Sequence, residues 1–160
     1  MNTIDLDVQD GNLHFKISFE RRINFIIGDS ASGKTTLHDM IIAASNDSDI
    51  TVISTYTPVT VDTTNYEVTI KGTKNAIIIV DDLSIIETAE FTGLVKEYFV
   101  KNNLWFLIMA REDEESLDSS KKLSFSINCI FKFVNRNNII VNEKYYSFDA
   151  ISSNVFDKVI

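Results

Sequence analysis

Residues 23–40 read INFIIGDSASGKTTLHDM, and this stretch combines three kinds of segment. The first, Ile23 to Ile27, is almost wholly apolar, as in a strand buried on both faces. The last predicts a helix, because apolar residues recur in it at helical spacing: Leu37, Met40, Ile41 and Ala44. Between them, Gly28 to Thr35 has the pattern G-x-x-x-x-G-K-T. A strand, this loop and a helix in that order predict a site for phosphate groups.

The pattern resembles the Walker A motif of P-loop NTPases. Gly28 and Gly33 have no Cβ, so the backbone can wrap closely around a phosphate group and point successive N–H groups at it. The resemblance implies that Lys34 reaches the β- and γ-phosphates and that the hydroxyl of Thr35 ligates Mg²⁺. The expected ligand is ATP with Mg²⁺, and the predicted binding residues are Gly28, Asp29, Ser30, Ala31, Ser32, Gly33, Lys34, Thr35 and Thr36.

A second motif runs from Ala76 to Asp82, where four β-branched residues precede two aspartates. It resembles the Walker B strand, whose terminal aspartate holds Mg²⁺ beside the hydroxyl of the phosphate-binding loop. The resemblance therefore assigns Asp81 to the metal. Asp82 falls where many ATPases of the additional-strand (ASCE) division carry a glutamate that polarises the attacking water.

The side chain of Asp82 is one methylene group shorter than that glutamate. At an unchanged backbone position its carboxylate would stand off by about an ångström or more, and a misplacement of that size costs roughly a hundredfold in rate. We therefore expect slow hydrolysis, or nucleotide binding without hydrolysis. Glu67 and Glu87 are the other candidate bases, although nothing in the sequence brings them to the site.

Arg111 follows the apolar run 104–109, which predicts another buried strand. In ASCE NTPases a polar residue at this position often senses the γ-phosphate, which implies a catalytic role for Arg111. Alternatively, Arg111 pairs with the acidic residues 112–115 that follow it. The sequence leaves both interpretations open.

The remaining elements are predicted from periodicity and turn residues. Alternation of apolar and polar residues over 3–8 and 12–20, around an Asp-Gly pair, is a strong signal of a hairpin. A capping box at Ser84 predicts a helix as far as Lys101. The other predicted elements are strands at 50–54, 59–61 and 66–70, a hairpin of strands 125–134 and 139–146, and a short terminal helix within 149–160.

These elements predict an α/β fold, a P-loop NTPase three-layer sandwich with a mainly parallel core sheet and antiparallel N- and C-terminal hairpins. Residues 1–160 are expected to form a single domain, because 160 residues with 44% hydrophobic content support one core. The resemblance is to an ABC- or SMC-type ATPase core reduced to a minimum. The only glutamine, Gln9, precedes Walker A, and no signature motif follows Walker B.

Composition limits the possible partners. A net charge of −8 disfavours broad contact with nucleic-acid phosphates, which requires clustered Lys and Arg. The single cysteine, Cys129, excludes an internal disulfide. Because no apolar run is long enough to span a membrane, we expect a soluble, cytoplasmic protein.

The leading hypothesis is a Mg²⁺-dependent nucleotide-binding protein with slow ATPase activity, which acts as a switch or regulator of a protein partner. The four arginines of the chain offer no obvious arginine finger, so a protein partner or a second copy of the chain is expected to complete the site. One alternative is a small-molecule P-loop kinase, although its arginine-rich lid is hard to build from so few arginines. The other is a non-enzymatic interaction module with an acidic surface.

Overall fold

Nine strands form the framework of the described structure, and they all belong to one hydrogen-bonded sheet. The computed structural model describes residues 3–28, 33–86, 88–110 and 130–144. The strands are β1 (Ile4–Gln9), β2 (His14–Phe19), β3 (Ile23–Ile27), β4 (Thr51–Ser54), β5 (Thr57–Val61), β6 (Ala76–Val80), β7 (Leu104–Ala110), β8 (Ile130–Arg136) and β9 (Ile139–Lys144). The helices are α1 (Lys34–Ala43), α2 (Tyr66–Gly72), α3 (Leu83–Ile86) and α4 (Ala89–Tyr98). The strand order is β4-β1-β2-β9-β8-β3-β7-β6-β5.

Buried parallel strands form the middle of this sheet. Every residue of β3 and of β6 is buried, as expected for apolar runs that are covered on both faces. β7 lies between them and pairs in parallel with both, and β8 and β5 extend the parallel arrangement on either side. The carboxyl ends of these strands therefore lie along one margin of the sheet, which we call the carboxyl edge.

Both predicted hairpins are present, and they pair with each other. β1 and β2 are antiparallel, and Oδ1 of Asp10 accepts hydrogen bonds from two backbone N–H groups of their turn, both at 2.7 Å. β8 and β9 are also antiparallel, and φ is positive at both turn residues, Asn137 (56°) and Asn138 (69°), as in a type I′ turn. β2 pairs in parallel with β9, with His14 opposite Ile139. The two hairpins are thus part of the same sheet as the parallel strands.

The sheet curls until its two outermost strands come close together. β4 and β5 stand at opposite ends of the strand order, yet only Thr55 and Tyr56 separate them in the chain. Three Cα–Cα steps span at most about 11 Å, whereas eight strand spacings in a flat sheet would span about 38 Å. α1 contacts both β1 and β5, so the sheet wraps around this helix. The result is a mixed, nearly closed, barrel-like sheet.

The predicted three-layer P-loop sandwich is therefore wrong. Strands outweigh helices in the described part of the chain, and the sheet is mixed and curls towards closure instead of lying between two helical layers. The physical reason is pairing between distant segments, because the contacts of β3 with β8 and of β2 with β9 tie both hairpins into the core sheet. Periodicity identifies a strand but does not identify its neighbours.

Two apolar clusters cover the two faces of the sheet. The inner cluster joins α1 to β1, β2, β3, β6 and β7, with Phe15 and Leu37 among its fully buried side chains. The outer cluster joins β3, β6 and β7 to α2, α3 and α4, with Phe91 and Phe106 in edge-to-face contact at 6.1 Å. α1 therefore lies within the curl of the sheet, and it begins at the carboxyl edge just after β3.

The predicted strand at 66–70 is wrong, because these residues lie in helix α2. Val68 is 76% exposed whereas Ile70 is fully buried, although alternation would place both on the same face of a strand. Before the helix, the carboxylate of Asp62 accepts hydrogen bonds from two backbone N–H groups. This turn starts a helical segment that the alternating pattern hides.

The predicted helix from Ser84 to Lys101 is also wrong in detail, because two helices, α3 and α4, replace it. The hydroxyl of Thr88 caps α4 by accepting a hydrogen bond from the N–H of Phe91 at 3.1 Å. α4 ends at Tyr98, three residues before the predicted end. The true helix start therefore lies at a threonine that the capping-box pattern does not mark.

Other predictions are confirmed or fall outside the described residues. The predicted strands at 50–54 and 104–109 correspond to β4 and β7, and β5 begins at Thr57 instead of residue 59. No helix in the described ranges is both long and apolar enough to cross a membrane. Several predicted features lie outside those ranges: residues 29–32 of the phosphate-binding loop, Glu87, Arg111, the acidic segment 112–115, Cys129, residues 125–129 and 145–146 of the last hairpin, and the terminal helix within 149–160.

Candidate functional site

The candidate site lies at the carboxyl edge, where the chain passes from β3 to α1. Gly28 directly follows β3, and Gly33 precedes α1 in the left-handed conformation, with a φ of 99°. Glycine adopts this φ without strain, whereas a residue with a Cβ rarely does. A Cβ at position 33 would meet the ring of Phe15 at 3.5 Å, an ordinary contact distance. Backbone conformation, more than crowding, therefore favours glycine at this turn.

Lys34 is the first residue of α1, and its side chain folds back towards the end of β3. Its ammonium group donates a hydrogen bond to the carbonyl oxygen of Gly28. The residue is only 8% exposed. A buried ammonium group is costly unless hydrogen bonds replace its water, so this contact stabilises the charge inside the turn. The fold thus holds a cation where the sequence predicts phosphate groups.

Asp81 reaches the same region from β6, which is two positions from β3 in the strand order. As the first residue after β6, it also lies at the carboxyl edge. Burial raises the pKa of the Asp81 carboxyl group above its ordinary value of 3.8, and the nearby His38 and Lys34 oppose this rise only in part. Two residues that the sequence assigns to one site, Lys34 and Asp81, are thus brought together.

His38 joins this pair, although no motif in the sequence assigns it a role. Its Nδ1 lies 4.0 Å from Oδ2 of Asp81, and the two side chains are 18% and 23% exposed. A weak signal was present, because residues four apart share a helix face and His38 follows Lys34 by that spacing. The contact of His38 with Asp81 depends on the position of β6 in the sheet, and periodicity does not predict that position.

Asp82 directs its carboxylate towards the start of α3. Its Oδ1 accepts hydrogen bonds from the N–H and the hydroxyl of Ser84, at 2.9 and 2.6 Å. This is the arrangement of a residue that caps a helical turn. Orientation of a water molecule by Asp82 stays a prediction, and one of its two carboxylate oxygens is already engaged.

The other predicted site residues are placed in part. Thr35 and Thr36 are exposed in the first turn of α1. Glu67 lies on α2 and forms an ion pair with Lys71 at 3.0 Å, so it is committed elsewhere. Asp29, Ser30, Ala31, Ser32, Glu87 and Arg111 lie outside the described residues.

Metal binding at this edge would need ligands other than a cluster of acids or histidines. Across the described ranges, no group of three or more His, Cys, Asp or Glu side chains could hold a metal ion. Mg²⁺ is commonly bound by one or two carboxylates together with water and phosphate oxygens. The carboxylate of Asp81 at the carboxyl edge is compatible with a Mg²⁺ site in which water and phosphate oxygens supply the other ligands.

No protein-family model matches the sequence, and no curated protein is significantly similar to it. Function is therefore inferred from the geometry and the chemistry of the site.

Proposed function

We propose that this protein binds ATP with Mg²⁺ at residues 28–36 and hydrolyses it slowly, as a switch that regulates a protein partner. The observation that supports this most is the buried ammonium group of Lys34, which is folded back onto the carbonyl of Gly28 beside Asp81. A cation, two glycines and a carboxylate thus lie at one edge of the sheet. We also propose a cytoplasmic location, where ATP and Mg²⁺ are supplied together.

The described residues have the chemistry that a magnesium nucleotide needs. The carboxylate of Asp81 and the hydroxyl of Thr35 are oxygen ligands of the kind that Mg²⁺ prefers. Gly33 makes no side-chain hydrogen bond to the N-terminus of α1, and the N-terminus of a helix favours a bound anion. Phosphate groups would thus meet positive potential from both the helix and Lys34.

Each residue has a distinct part in the proposed reaction. Lys34 would exchange its hydrogen bond to Gly28 for hydrogen bonds to β- and γ-phosphate oxygens. The N–H groups at the start of α1 would stabilise the negative charge of the group being transferred. Asp82 would orient a water molecule for in-line attack on the γ-phosphorus. When bound, Mg²⁺ supplies further neutralisation of the phosphate charge.

Hydrolysis is expected to be slow for two reasons. Asp82 has a short side chain, and one of its oxygens caps α3. In addition, the described arginines are poorly placed to act on a phosphate group. Arg21 and Arg22 precede β3 at the opposite edge of the sheet, and Arg136 pairs with Glu143. We therefore propose that a protein partner or a second copy of the chain completes the site.

A thermal-shift experiment with matched ligands tests this function. We expect MgATP at about 100 times its Kd to raise the Tm by about 5–10 °C, because binding at that level adds about 2.7 kcal/mol to the free energy of unfolding. Adenosine, which has no phosphate groups, is expected to raise the Tm by less than about 1 °C. Phosphate release in the same samples should stay below about 1 s⁻¹, the lower end of typical kcat values.

Two results would contradict the proposal. One is a Tm that MgATP leaves unchanged in a protein shown to be folded. The other is an equal shift with adenosine, because the site would then recognise the nucleoside and not the phosphates. Substitution of Asp81 by Asn gives a further check, since it should remove the part of the MgATP shift that EDTA also removes.

A further inference from the structure

His38 lies at the proposed metal position but has no part in the reaction described above. It follows Lys34 by one turn and lies on the same face of α1. Its Nδ1 is 4.0 Å from Oδ2 of Asp81. At 18% exposure, the imidazole is mostly withdrawn from solvent. The imidazole of His38 therefore lies mostly buried beside the carboxylate of Asp81.

A surface ion pair does not explain this placement well. The same Nδ1 lies 3.6 Å from Oδ1 of Asp39, but the Asp39 side chain is 69% exposed. Pairs with an exposed partner contribute little to stability, because water and salt screen them. The contact with Asp81 is different, since that carboxylate is 23% exposed and burial already raises its pKa.

We propose that His38 is a positioning residue that holds the carboxylate of Asp81 in the orientation that binds Mg²⁺; this inference rests on the proposed function. The separation of 4.0 Å is too long for a direct hydrogen bond. A movement of about 1 Å, or one bridging water, makes the imidazole N–H a donor to Oδ2. The other oxygen of Asp81 then stays available to the metal.

This role follows from a general property of metal sites. Carboxylates that bind a metal are usually held by hydrogen bonds from outer residues, and loss of such a partner typically costs 10–100-fold in metal affinity or activity. A donor is especially useful at Asp81, because a partly desolvated carboxylate has few water molecules to orient it. His38 has its Nδ1 4.0 Å from Oδ2 of that carboxylate.

The test is a Mg²⁺ titration of ATP affinity in the full chain, with thermal unfolding measured for each variant. For His38→Ala, we expect the Mg²⁺ concentration that gives half of the affinity gain to rise about tenfold. ATP affinity in EDTA should stay within about twofold of the wild type, because the phosphate contacts are intact. His38→Asn should restore most of the Mg²⁺ response, since its amide nitrogen occupies nearly the position of Nδ1.

The second histidine provides a matched control. His14 also pairs with an aspartate, Asp7, at 2.9 Å, but it lies on β2. His14→Ala should leave the Mg²⁺ titration unchanged.

The outcomes separate this inference from the proposed function. If His38→Ala titrates with Mg²⁺ like the wild type, or loses ATP affinity equally in EDTA, the positioning role is overturned while nucleotide binding stands. If the folded wild-type protein does not bind ATP with or without Mg²⁺, both proposals fail together.

Discussion

Asp81 has a carboxylate that is partly buried, and burial disfavours the negative charge of that group. Burial raises its pKa, and the attraction of His38 and Lys34 compensates only in part. Burial thus makes the ionised form, which a Mg²⁺ ligand requires, less favourable in the folded protein than in the unfolded chain. Stability and the proposed metal binding therefore compete at this residue, as is common at functional sites.

Asp81→Asn is expected to stabilise the ligand-free protein at pH 7, with a Tm about 1–4 °C higher. The unfolded carboxyl group titrates near 3.8 and the folded one above it. Protonation of Asp81 therefore contributes to the free energy of unfolding in full below pH 3.8. This contribution is lost as the pH rises through the pKa of the folded state. The Tm difference between variant and wild type should narrow as the pH is lowered from 7 towards 4.

Asp39→Asn is the matched control for this change. Asp39 is 69% exposed, so removal of its charge should move the Tm by less than about 1 °C. A lower Tm for Asp81→Asn at pH 7 would show that the pairing with Lys34 and His38 outweighs burial.

A sequence motif predicts only the functional residues that lie within it. Lys34 and Asp81 were predicted as site residues because each belongs to a recognisable local pattern, and the structure brings them together at one edge. His38 was missed because its partner belongs to a strand that is distant in sequence. The engagement of Asp82 with Ser84 was missed for another reason, since an acid at the end of a strand and an acid that caps a helix look alike in sequence.

At the scale of elements, the segment after β6 shows how a cap decides where a helix begins. Ser84 has the spacing of a capping box, but its N–H and its hydroxyl both donate to Asp82. Thr88 is the residue whose hydroxyl accepts a hydrogen bond from the helix, at 3.1 Å from the N–H of Phe91. The start of α4 therefore depends on Thr88.

Thr88→Ala is expected to lower the free energy of unfolding by about 1 kcal/mol, because a backbone N–H of α4 loses its partner. This corresponds to a Tm about 2–4 °C lower in a thermal melt. Ser84→Ala should cost only a few tenths of that amount, since Asp82 keeps its bond to the backbone N–H of residue 84. A larger loss for Ser84→Ala than for Thr88→Ala would favour the single helix that the sequence predicts.

Elements with one dominant signal were predicted well, and those with two competing signals were not. The apolar runs of β3, β6 and β7 are too short for a typical buried helix, so they predict strands. The Asp-Gly pair predicts the first hairpin. In α2, Tyr66 and Ile70 fit a strand and a helix equally well. The helix forms because the turn at Asp62 precedes it and its buried side joins the outer cluster.

At the scale of the molecule, the closure of the sheet was the part that sequence patterns did not predict. It depends on the parallel pairing of β2 with β9, two strands that are more than a hundred residues apart. It also depends on the two-residue connection between β4 and β5, which links the outermost strands. Each local pattern was compatible with a flat sheet between two helical layers. Only the pairings between distant strands distinguish that arrangement from the curled sheet.

The curled sheet also accounts for the site. It surrounds α1, and it leaves the first turn of that helix at the edge where Gly28 and Asp81 end their strands. Lys34 and His38 then face the carboxylate from a single helix. The proposed MgATP site therefore needs no large movement of the described elements.

Calorimetric titration of ATP in the presence of Mg²⁺ into wild type, Lys34→Ala and Lys71→Ala tests this central claim most directly. Lys71 is a suitable control because it is exposed and pairs with Glu67 on the surface of α2. We predict micromolar affinity for the wild type and for Lys71→Ala, and affinity about a hundredfold weaker for Lys34→Ala, because the loss of a charged partner of the phosphates costs about 3 kcal/mol. Equal affinity in all three proteins, or no binding by folded wild type, would contradict a nucleotide site at this edge.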